Sequence, residues 1–289
     1  MGLLGIEDLQ AVSSFFKGEK GEKRGRKLMH MLSVDKLNDL YDRHAHHQGQ
    51  AFAADCLTDL GVDYTVEIGD KVYNAAEAKE ALKTILPEGP FITISNHPYG
   101  SIDGVMLIDL FASIRPDFKV VVNQILSRIK ALGPNFIEVT PNGNTKAEPT
   151  ATSIKGMKDS LAQLRNGSPL GLFPAGAVSN LYPFKGKIED RPWQEPIIKL
   201  IKKARVPVIP VRFFDGNSKW YYSLGLVGSP VRLLRLPGEV FNKAGKQARI
   251  GIGPVISVEE QKAVKDMKEL TALYRKAVYG QVSIQKKLK

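Results

Sequence analysis

The sequence predicts an α/β fold, in which a largely parallel sheet is covered by helices and follows a small N-terminal helical region. From residue 91 onward, short β-rich runs alternate with runs of helical pattern, as in βαβ units. Several β-rich runs are almost continuously apolar, which is typical of strands buried on both faces. The chain has 289 residues, of which 43% are hydrophobic and 25% charged, so it can bury a sizeable core.

Residues 1–86 are predicted to form the mainly helical N-terminal region. Apolar side chains over 2–17 have roughly helical spacing, and a charged, Gly-rich stretch over 17–27 follows them. The other elements predicted in this region are a helix over 35–60, a hairpin over 64–73 and a helix over 75–86. A break over 87–90 marks the predicted boundary with an α/β domain, residues 87–289.

The α/β domain is predicted to alternate strands and helices as far as a closing helix and a short basic tail. The predicted strands are 91–95, 119–123, 137–139, 170–173, 206–213, 220–224 and 249–252. The predicted helices are 104–114, 124–132, 150–166, 194–204 and 258–279, and the tail is 285–289.

The formal net charge is +11 and the isoelectric point is about 9.5, which favours anionic partners. Nucleic acid, an anionic membrane surface and an acidic carrier protein all qualify, and charge alone does not choose between them. Cys56 is the single cysteine, so an intramolecular disulfide is excluded, which fits a reducing compartment. No apolar run reaches about 18 residues and no signal-peptide pattern occurs, so the sequence predicts a cytoplasmic protein without a membrane span.

The segment 1–27 has two interpretations, and the sequence leaves both open. An apolar helical face beside a basic cluster can lie on an anionic membrane. The same pattern fits a helix that packs on the domain and is followed by a solvated loop. On the first interpretation, removal of residues 1–27 is expected to weaken membrane partition more than the chemistry.

A histidine and an aspartate stand on the turn after the first strand of the α/β domain. His97 follows the predicted strand 91–95, and Asp103 begins an apolar, helix-like run six residues later. A neutral imidazole near pH 7 is suited to accept a proton, and a carboxylate can orient it. Pro98 and Gly100 interrupt regular structure between the two, which permits their contact without forcing it. The pair also fits a plain strand-to-helix loop in which Asp103 caps the helix.

A second predicted strand enters a turn of small residues that extends to Ser179. Gly176 and its small neighbours allow a substrate to approach the backbone, where free N–H groups can face an anion or a developing oxyanion. The same stretch fits a plain strand–turn–helix junction. In a parallel sheet, this turn and that of His97 would follow strand C-termini, at the edge where ligands usually bind.

Three motifs in this order give the chain its likeness to a known family. They are Asn96-His97 with Asp103, Phe173-Pro174-x-Gly176-x-x-Ser179, and Val206-Pro207-Val208-Ile209-Pro210-Val211. The order and the three-block match resemble the lysophospholipid/glycerolipid acyltransferase family, over roughly residues 85–255.

Two departures from the common family pattern bear on the acceptor. Five residues rather than four separate His97 from Asp103. Ala175 stands where the family commonly has a Glu that is associated with the acceptor's polar head. The motifs look more like the bacterial branch that O-acylates lyso-aminolipids, such as lyso-ornithine or lyso-glycine lipids, whose members are often labelled hemolysin-like. Glycerol 3-phosphate or 1-acylglycerol-3-phosphate is the alternative acceptor.

The resemblance implies an enzyme that moves a fatty acyl group from an acyl thioester directly to a lysolipid hydroxyl. His97 is expected to be the general base, and Asp103 to fix its tautomer. The expected partners are acyl carrier protein or acyl-CoA as donor, a lysolipid acceptor and the inner face of the cell membrane, with no cofactor, metal or nucleic acid. The residues expected to bind substrate are Asn96, Gly100, Asn123, Phe173, Pro174, Gly176, Ser179 and Arg212, with Lys130 as a further residue of the cleft.

Other patterns are weaker. His44, His46 and His47 have no cysteine or suitably spaced carboxylate in the sequence nearby, so a solvated helix surface is preferred to a metal site. No Gly-x-Ser-x-Gly elbow, dinucleotide fingerprint or Walker loop occurs. The competing class is a non-catalytic basic protein that binds membranes or nucleic acid, although an aromatic-rich basic motif for single strands is absent.

Overall fold

The computed structural model describes residue 3 and residues 5–140 and 150–286, and within them ten strands form a sheet of eight and a separate hairpin. Parts of the predicted segment 1–27 and of the tail 285–289 lie outside the described residues. The strands are β1 (Asp63–Ile68), β2 (Lys71–Asn74), β3 (Ile92–Ser95), β4 (Lys119–Asn123), β5 (Phe136–Val139), β6 (Leu170–Leu172), β7 (Asn180–Tyr182), β8 (Lys187–Glu189), β9 (Val208–Phe213) and β10 (Gln247–Ile252). The helices are α1 (Ile6–Val12), α2 (Gly18–Met31), α3 (Val34–His44), α4 (Gly49–Asp59), α5 (Ala75–Lys83), α6 (Ile102–Ala112), α7 (Ala151–Arg165), α8 (Glu195–Ala204), α9 (Lys219–Val227), α10 (Ser229–Leu234), α11 (Leu236–Phe241), α12 (Val258–Ala263) and α13 (Met267–Tyr279).

The large sheet is mostly parallel, which confirms the predicted fold class. Its strand order is β2-β1-β10-β9-β3-β6-β4-β5. The central strand β3 pairs in parallel with β6 on one side and with β9 on the other, and β4 and β5 continue the parallel part. Strand β10 is antiparallel to β9 and parallel to β1. The C-terminal ends of β3, β4, β6 and β9 therefore meet at one edge of the sheet.

Helices cover both faces of this sheet, and each face has its own hydrophobic core. The first core lies under α4 and α6 and includes Phe111 and Phe213. The second core lies under α7, α8 and α13 and includes Ile198 and Tyr274. All four residues of β3 are buried between the two layers. Burial on both faces accounts for the short, largely apolar sequence of this strand.

The hairpin of β1 and β2 precedes the predicted boundary at residue 87 and belongs to the same large sheet. Strand β1 pairs with β10 along its whole length, and α5 packs on it. Helix α5 starts where Asn74 and Glu77 form a reciprocal capping box. The domain boundary at residue 87 stays a prediction. Strands β1 and β2 before it and strand β10 after it belong to the same sheet.

The strand predicted over 220–224 is wrong, because these residues lie in helix α9. The Ser218 hydroxyl oxygen accepts a hydrogen bond from the Tyr221 amide and caps the helix. Tyr221 and Tyr222 are both fully buried. A strand would point neighbouring side chains to opposite faces, whereas the helix buries both rings against the domain. A short apolar run does not separate these alternatives by its pattern alone.

The solvated loop considered for residues 17–27 is likewise a helix, α2. Ion pairs one helical turn apart support it, with Lys23 Nζ 3.1 Å from Glu19 and Arg26 Nη2 2.6 Å from Glu22. Helix α1 packs closely on α2, since a Cβ atom added at Gly25 would lie 2.2 Å from Ile6 Cδ1. Arg128 of the α/β domain contacts α1, with Nη2 2.6 Å from Asp8 Oδ1. This contact agrees with the second interpretation of the segment, packing on the domain, although a helix stands where that interpretation placed a solvated loop.

Three predicted helices are interrupted. The helix expected over 35–60 is divided into α3 and α4, with Gly49 at φ +58° where α4 begins. The closing helix is divided into α12 and α13, because Asp266 accepts hydrogen bonds from two amides at the start of α13. Residues 124–132 form 3-10 turns, Gln124–Arg128 and Lys130–Asn135, rather than a continuous α-helix. Within the described part of the chain, no helix is both long and apolar enough to cross a membrane.

Candidate active site

Adjacent parallel strands bring the two predicted loops together. Strand β3 pairs with β6 up to Ile94 and Leu172, so the loops that follow leave the sheet side by side. The Ser179 amide donates a hydrogen bond of 2.9 Å to the His97 carbonyl. The His97 ring stacks on Phe173, with 4.1 Å between the ring centroids. The first and second sequence blocks are thus in direct contact.

The imidazole of His97 lies against the carboxylate of Asp103. Nδ1 of His97 is 2.8 Å from Oδ2 of Asp103, which is completely buried. The contact is short, but its N–H direction is not aligned for a good hydrogen bond. Catalytic hydrogen bonds often tighten only when substrate is bound. With Nδ1 facing the carboxylate, Nε2 is the nitrogen that remains for a substrate proton.

The carboxylate of Asp103 is oriented by its own loop and helix. Oδ2 accepts hydrogen bonds from the amides of Tyr99 and Gly100, at 3.1 and 3.2 Å, and Oδ1 accepts one of 3.1 Å from the Gly104 amide. Asp103 also lies in the first turn of α6, where the helix dipole favours a negative charge. These contacts leave the carboxylate little freedom to turn away from His97.

The five residues between His97 and Asp103 form a closed loop. The Tyr222 hydroxyl donates to the Pro98 carbonyl at 2.7 Å, and the Asn217 side chain donates to the Tyr99 carbonyl at 2.8 Å. Gly100 has φ +77°, and a Cβ atom there would lie 2.4 Å from Val178. The longer spacing is therefore accommodated by a turn that only glycine fits, while the His–Asp contact is kept.

Burial and charge act in opposite directions on His97. Desolvation of the ring disfavours the imidazolium, but the charge of Asp103, the contact with that carboxylate and the charge of Asp190 favour it. Together these effects raise the pKa of His97 above its ordinary value. The ring is consequently tuned to hold a proton more tightly than a free histidine does.

Asp190 was missed by sequence reasoning, although it touches both loops. Its Oδ1 accepts a hydrogen bond of 2.6 Å from the Ser179 hydroxyl and one of 3.2 Å from the His97 amide. Its Oδ2 accepts a hydrogen bond of 3.3 Å from Trp193 Nε1. Asp190 is only 3% exposed and lies in the loop between β8 and α8. No spacing rule relates it to His97, since the contact depends on the tertiary fold.

The other predicted residues of the second block have mainly structural contacts. The Pro174 carbonyl accepts from the Gln194 amide at 2.9 Å, and the Gly176 amide donates to the Phe173 carbonyl at 2.9 Å. Gly176 is exposed, with φ +60°, so its backbone is accessible. Ala175, at the position of the family's Glu, is fully buried in the second core. Alanine supplies no carboxylate at this position.

Asn96 holds strands together at the site. Its side chain donates a hydrogen bond of 2.9 Å to the Phe213 carbonyl and accepts one of 2.8 Å from the Phe213 amide. The amide side chain thereby continues the pairing of β3 with β9 beyond Ser95. Asn96 therefore has a structural role, and its role in substrate binding stays a prediction.

Asn123 and Lys130 lie farther along the same sheet edge. Asn123 ends β4, two strands from β3, and its side chain accepts a hydrogen bond of 3.1 Å from the Ile125 amide. Lys130 lies in the following 3-10 turn, and both residues are exposed. No contact that we observe joins either of them to the loops of His97 and Ser179, so their roles stay predictions.

Arg212 is near the site but starts from the other face of the sheet. Its neighbours in β9, Val211 and Phe213, point into the first core, so Arg212 points toward the second. Its guanidinium stacks over Tyr279 at 4.3 Å, and its Nε and Nη1 are buried without a hydrogen-bond partner among the described residues. Burial lowers the pKa of Arg212. His97 instead stacks on Phe173, which packs against the first core.

The histidines interpreted as a solvated surface lie beside carboxylates of α4. His44 Nε2 is 2.7 Å from Asp59, and His47 Nδ1 is 2.5 Å from Asp55. Both contacts join exposed or half-buried side chains, one at the end of α3 and one in the turn after it, to α4. No contact that we observe among the described residues joins these histidines to His97.

Comparisons with known proteins identify the family of the chain. The family model described as acyltransferase matches residues 37–285. The lyso-glycine lipid O-acyltransferase of Bacteroides thetaiotaomicron is 27% identical over 204 residues, which cover 68% of this chain and 71% of that protein. The protein of the same name from Phocaeicola vulgatus is 24% identical over 225 residues, which cover 75% of this chain and 77% of that protein. The chain belongs to this acyltransferase family, and the protein is an acyltransferase.

Proposed function

We propose that the protein transfers a fatty acyl group from an acyl thioester to the hydroxyl of a lyso-aminolipid, with His97 as the general base. The observation that carries this proposal is the 2.8 Å contact between His97 Nδ1 and the buried carboxylate of Asp103. It leaves Nε2 for the acceptor hydroxyl and, once it tightens into a hydrogen bond on substrate binding, fixes the tautomer of the ring.

The chemistry proceeds by direct attack. As the acceptor hydroxyl oxygen bonds to the thioester carbonyl carbon, its proton passes to Nε2 of His97, and Asp103 stabilises the imidazolium. The tetrahedral intermediate collapses by breaking the C–S bond, and the thiolate takes the proton from His97. The products are an ester and a free thiol. Backbone amides near Gly176 are suited to stabilise the oxyanion, because that turn is exposed at the same edge.

The proposed acceptor is a lyso-aminolipid of the lyso-glycine type. Two relatives carry the name lyso-glycine lipid O-acyltransferase. The buried Ala175 offers no carboxylate to a glycerol phosphate head, which agrees with a different acceptor. The unpaired N–H groups of Arg212 are proposed to serve an anionic group of the acceptor or the carrier.

The proposed donor is an acyl thioester of acyl carrier protein or coenzyme A, and the proposed location is the inner face of the cell membrane. A net charge of +11 favours both an acidic carrier protein and an anionic bilayer. The membrane interpretation of the segment 1–27 stays a prediction.

Thiol release with a panel of acceptors tests this function. The protein is incubated with an acyl-carrier thioester and, separately, with an N-(3-hydroxyacyl)glycine, its ornithine counterpart, glycerol 3-phosphate and 1-acylglycerol-3-phosphate. We expect release that depends on the two aminolipids. Replacing His97 with Ala should reduce that release by about 10²–10⁴-fold, since a general base typically contributes that much.

His46→Ala is the matched control, because His46 is an exposed histidine outside the candidate site whose ring packs on that of His47. Melting temperatures of the two variants and the parent protein show whether the fold is kept. Near-normal turnover by His97→Ala contradicts the general-base mechanism. Release with the glycerol phosphates alone contradicts the acceptor class but not the mechanism. Failure of every acceptor, together with salt-sensitive binding of nucleic acid, supports a non-catalytic basic protein.

A further inference from the structure

Large apolar side chains are exposed together on the hairpin of α9 and α10. They are Trp220, Leu226, Val227, Leu233 and Leu234, each between 52% and 77% exposed. The opposite side of α9 is firmly anchored, since Tyr221 and Tyr222 are buried. Single exposed apolar residues are common on soluble proteins, but a group of this size on one supersecondary unit marks an interaction surface.

The separate hairpin of β7 and β8 contributes a second apolar projection. Its tip, in the 3-10 turn Pro183–Lys185, carries Phe184, which is fully exposed. Strand β7 contacts α9, so this hairpin packs beside the helix that carries part of the first group. We call the two hairpins together, residues 180–189 and 219–234, the apolar platform.

The charges of the apolar platform indicate what covers it. Lys185, Lys187 and Lys219 are exposed beside the apolar side chains. Across the apolar platform the sequence has one carboxylate, Glu189 at the end of β8. Exposed apolar residues with Trp and an excess of Lys are complementary to the interface of an anionic bilayer. This excess of positive charge favours an anionic bilayer over a protein partner of mixed charge.

The apolar platform is attached directly to both loops of the active site. Arg232 of α10, only 4% exposed, donates hydrogen bonds to the carbonyls of Ser179 and Val178, at 2.9 and 3.3 Å. Tyr222 of α9 donates to the Pro98 carbonyl next to His97. The apolar platform is therefore joined by direct hydrogen bonds to the loops that hold His97 and Asp103.

We propose that the apolar platform inserts into the interfacial layer of an anionic bilayer and so holds the His97 loop at the membrane surface, where an amphiphilic acceptor resides. The inference rests on the proposed function, because it assumes that the acceptor is a membrane lipid. It differs from an N-terminal anchor, since it assigns the contact to residues 180–189 and 219–234 rather than to 1–27.

Vesicle sedimentation of the full chain tests the surface. The probes are vesicles of phosphatidylcholine with and without phosphatidylglycerol. Val227→Ser/Leu234→Ser removes two highly exposed apolar side chains, and we expect it to weaken partition at least about tenfold, given the area removed from the bilayer. The matched control is Phe15→Ser/Met31→Ser, which removes side chains 60% and 64% exposed in the N-terminal region. This control is expected to bind like the parent protein.

Tryptophan fluorescence gives a second readout. The chain has two tryptophans, and Trp193 is only 6% exposed, so a blue shift on adding vesicles reports on Trp220. Trp220→Phe should abolish the shift. Unchanged partition of Val227→Ser/Leu234→Ser, or loss of partition in the N-terminal control instead, overturns the proposal. So does a dimer of the parent protein that this double variant alone dissociates, because the apolar platform would then be covered by a second copy.

Activity separates this proposal from the proposed function. With acceptor embedded in vesicles, the double variant should lose turnover in proportion to its binding, while a short-chain acceptor dispersed without vesicles should be used normally. If no acceptor is acylated in either form but vesicle binding needs the apolar platform, the proposed function fails and the membrane surface stands. If acylation occurs but vesicle binding does not need the apolar platform, the proposed function stands and the proposed membrane surface fails.

Discussion

His97 and Asp103, the proposed catalytic pair, are each held in place by groups outside the pair. Asp103 is oriented by three amides, and His97 is packed on Phe173 and bonded through its backbone to Ser179 and Asp190. A base positioned in this way needs little reorganisation when a hydroxyl arrives. The activity of this base also depends on its pKa, which the charges of the neighbouring carboxylates raise.

Replacing Asp103 with Asn should change the pH profile in a defined direction. Protonated His97 cannot accept a proton, so activity should rise with pH through the pKa of this histidine. Asp103 raises that pKa, and Asn removes the charge, so the acidic limb should move to lower pH. The plateau should also fall by about 10²–10⁴-fold, since the tautomer is no longer fixed. The profile of kcat/KM against pH measures both effects, and an unmoved acidic limb contradicts the assignment.

Asp190 is expected to be a positioning residue rather than a group that touches substrate. Asp190→Asn should cost about 1–3 kcal/mol in the free energy of unfolding, because one buried donor loses its acceptor. It should lower kcat more than it changes KM and move the acidic limb to lower pH, since its charge also favours the imidazolium.

Trp193→Phe is the matched control for Asp190→Asn. It removes one hydrogen bond of Asp190 but leaves the charge, so it should reduce stability and leave the acidic limb in place. If both variants shift the pH profile equally, Asp190 acts only through packing.

Turns rather than regular elements set the geometry of the active site. The loop from Pro98 to Ile102 doubles back onto Asp103, and its carbonyls are bound by side chains from outside it. This turn depends on Gly100, which combines positive φ with a close approach to Val178. The two site loops are therefore coupled by a contact that leaves no room for a side chain.

Gly100→Ala should separate these loops. The added Cβ would lie 2.4 Å from Val178 in a backbone conformation that alanine disfavours, so we expect a loss of about 1–3 kcal/mol in stability together with lower kcat. Gly89→Ala is the control, because no atom lies within 4 Å of its added Cβ and its φ is not positive. Chemical denaturation and thiol release measure the two effects, and equal stability of both variants contradicts the role of this turn.

Positive charge is a property of the whole molecule, and it should act on association more than on chemistry. With a net charge of +11, encounter with an acidic acyl carrier protein should weaken as salt screens the attraction. We expect KM for the carrier-bound donor to rise between low and physiological ionic strength, while kcat changes little. An uncharged acyl-pantetheine donor serves as the control, and its KM should not depend on salt. An equal salt response of both donors contradicts carrier recognition by charge.

The sequence by itself determined the class of fold and nominated the residues proposed to carry the chemistry. The alternation of apolar strands and helices, and the three motifs in order, are local properties, and the mostly parallel sheet agrees with them. The parallel register explains why motifs about 70 residues apart in the sequence end at one edge. Aromatic runs such as 220–224 were the exception, because their burial decides between strand and helix and burial is not local.

Only the tertiary structure decided which groups hold the proposed catalytic pair and which surfaces remain open. Asp190 reaches His97 across a separate loop, and Arg212 starts from the far side of the sheet despite its proximity in the strand order. The apolar platform likewise exists only because α9 buries one side and leaves the other uncovered. These features depend on contacts between residues distant in the chain, so no periodicity or spacing in the sequence records them.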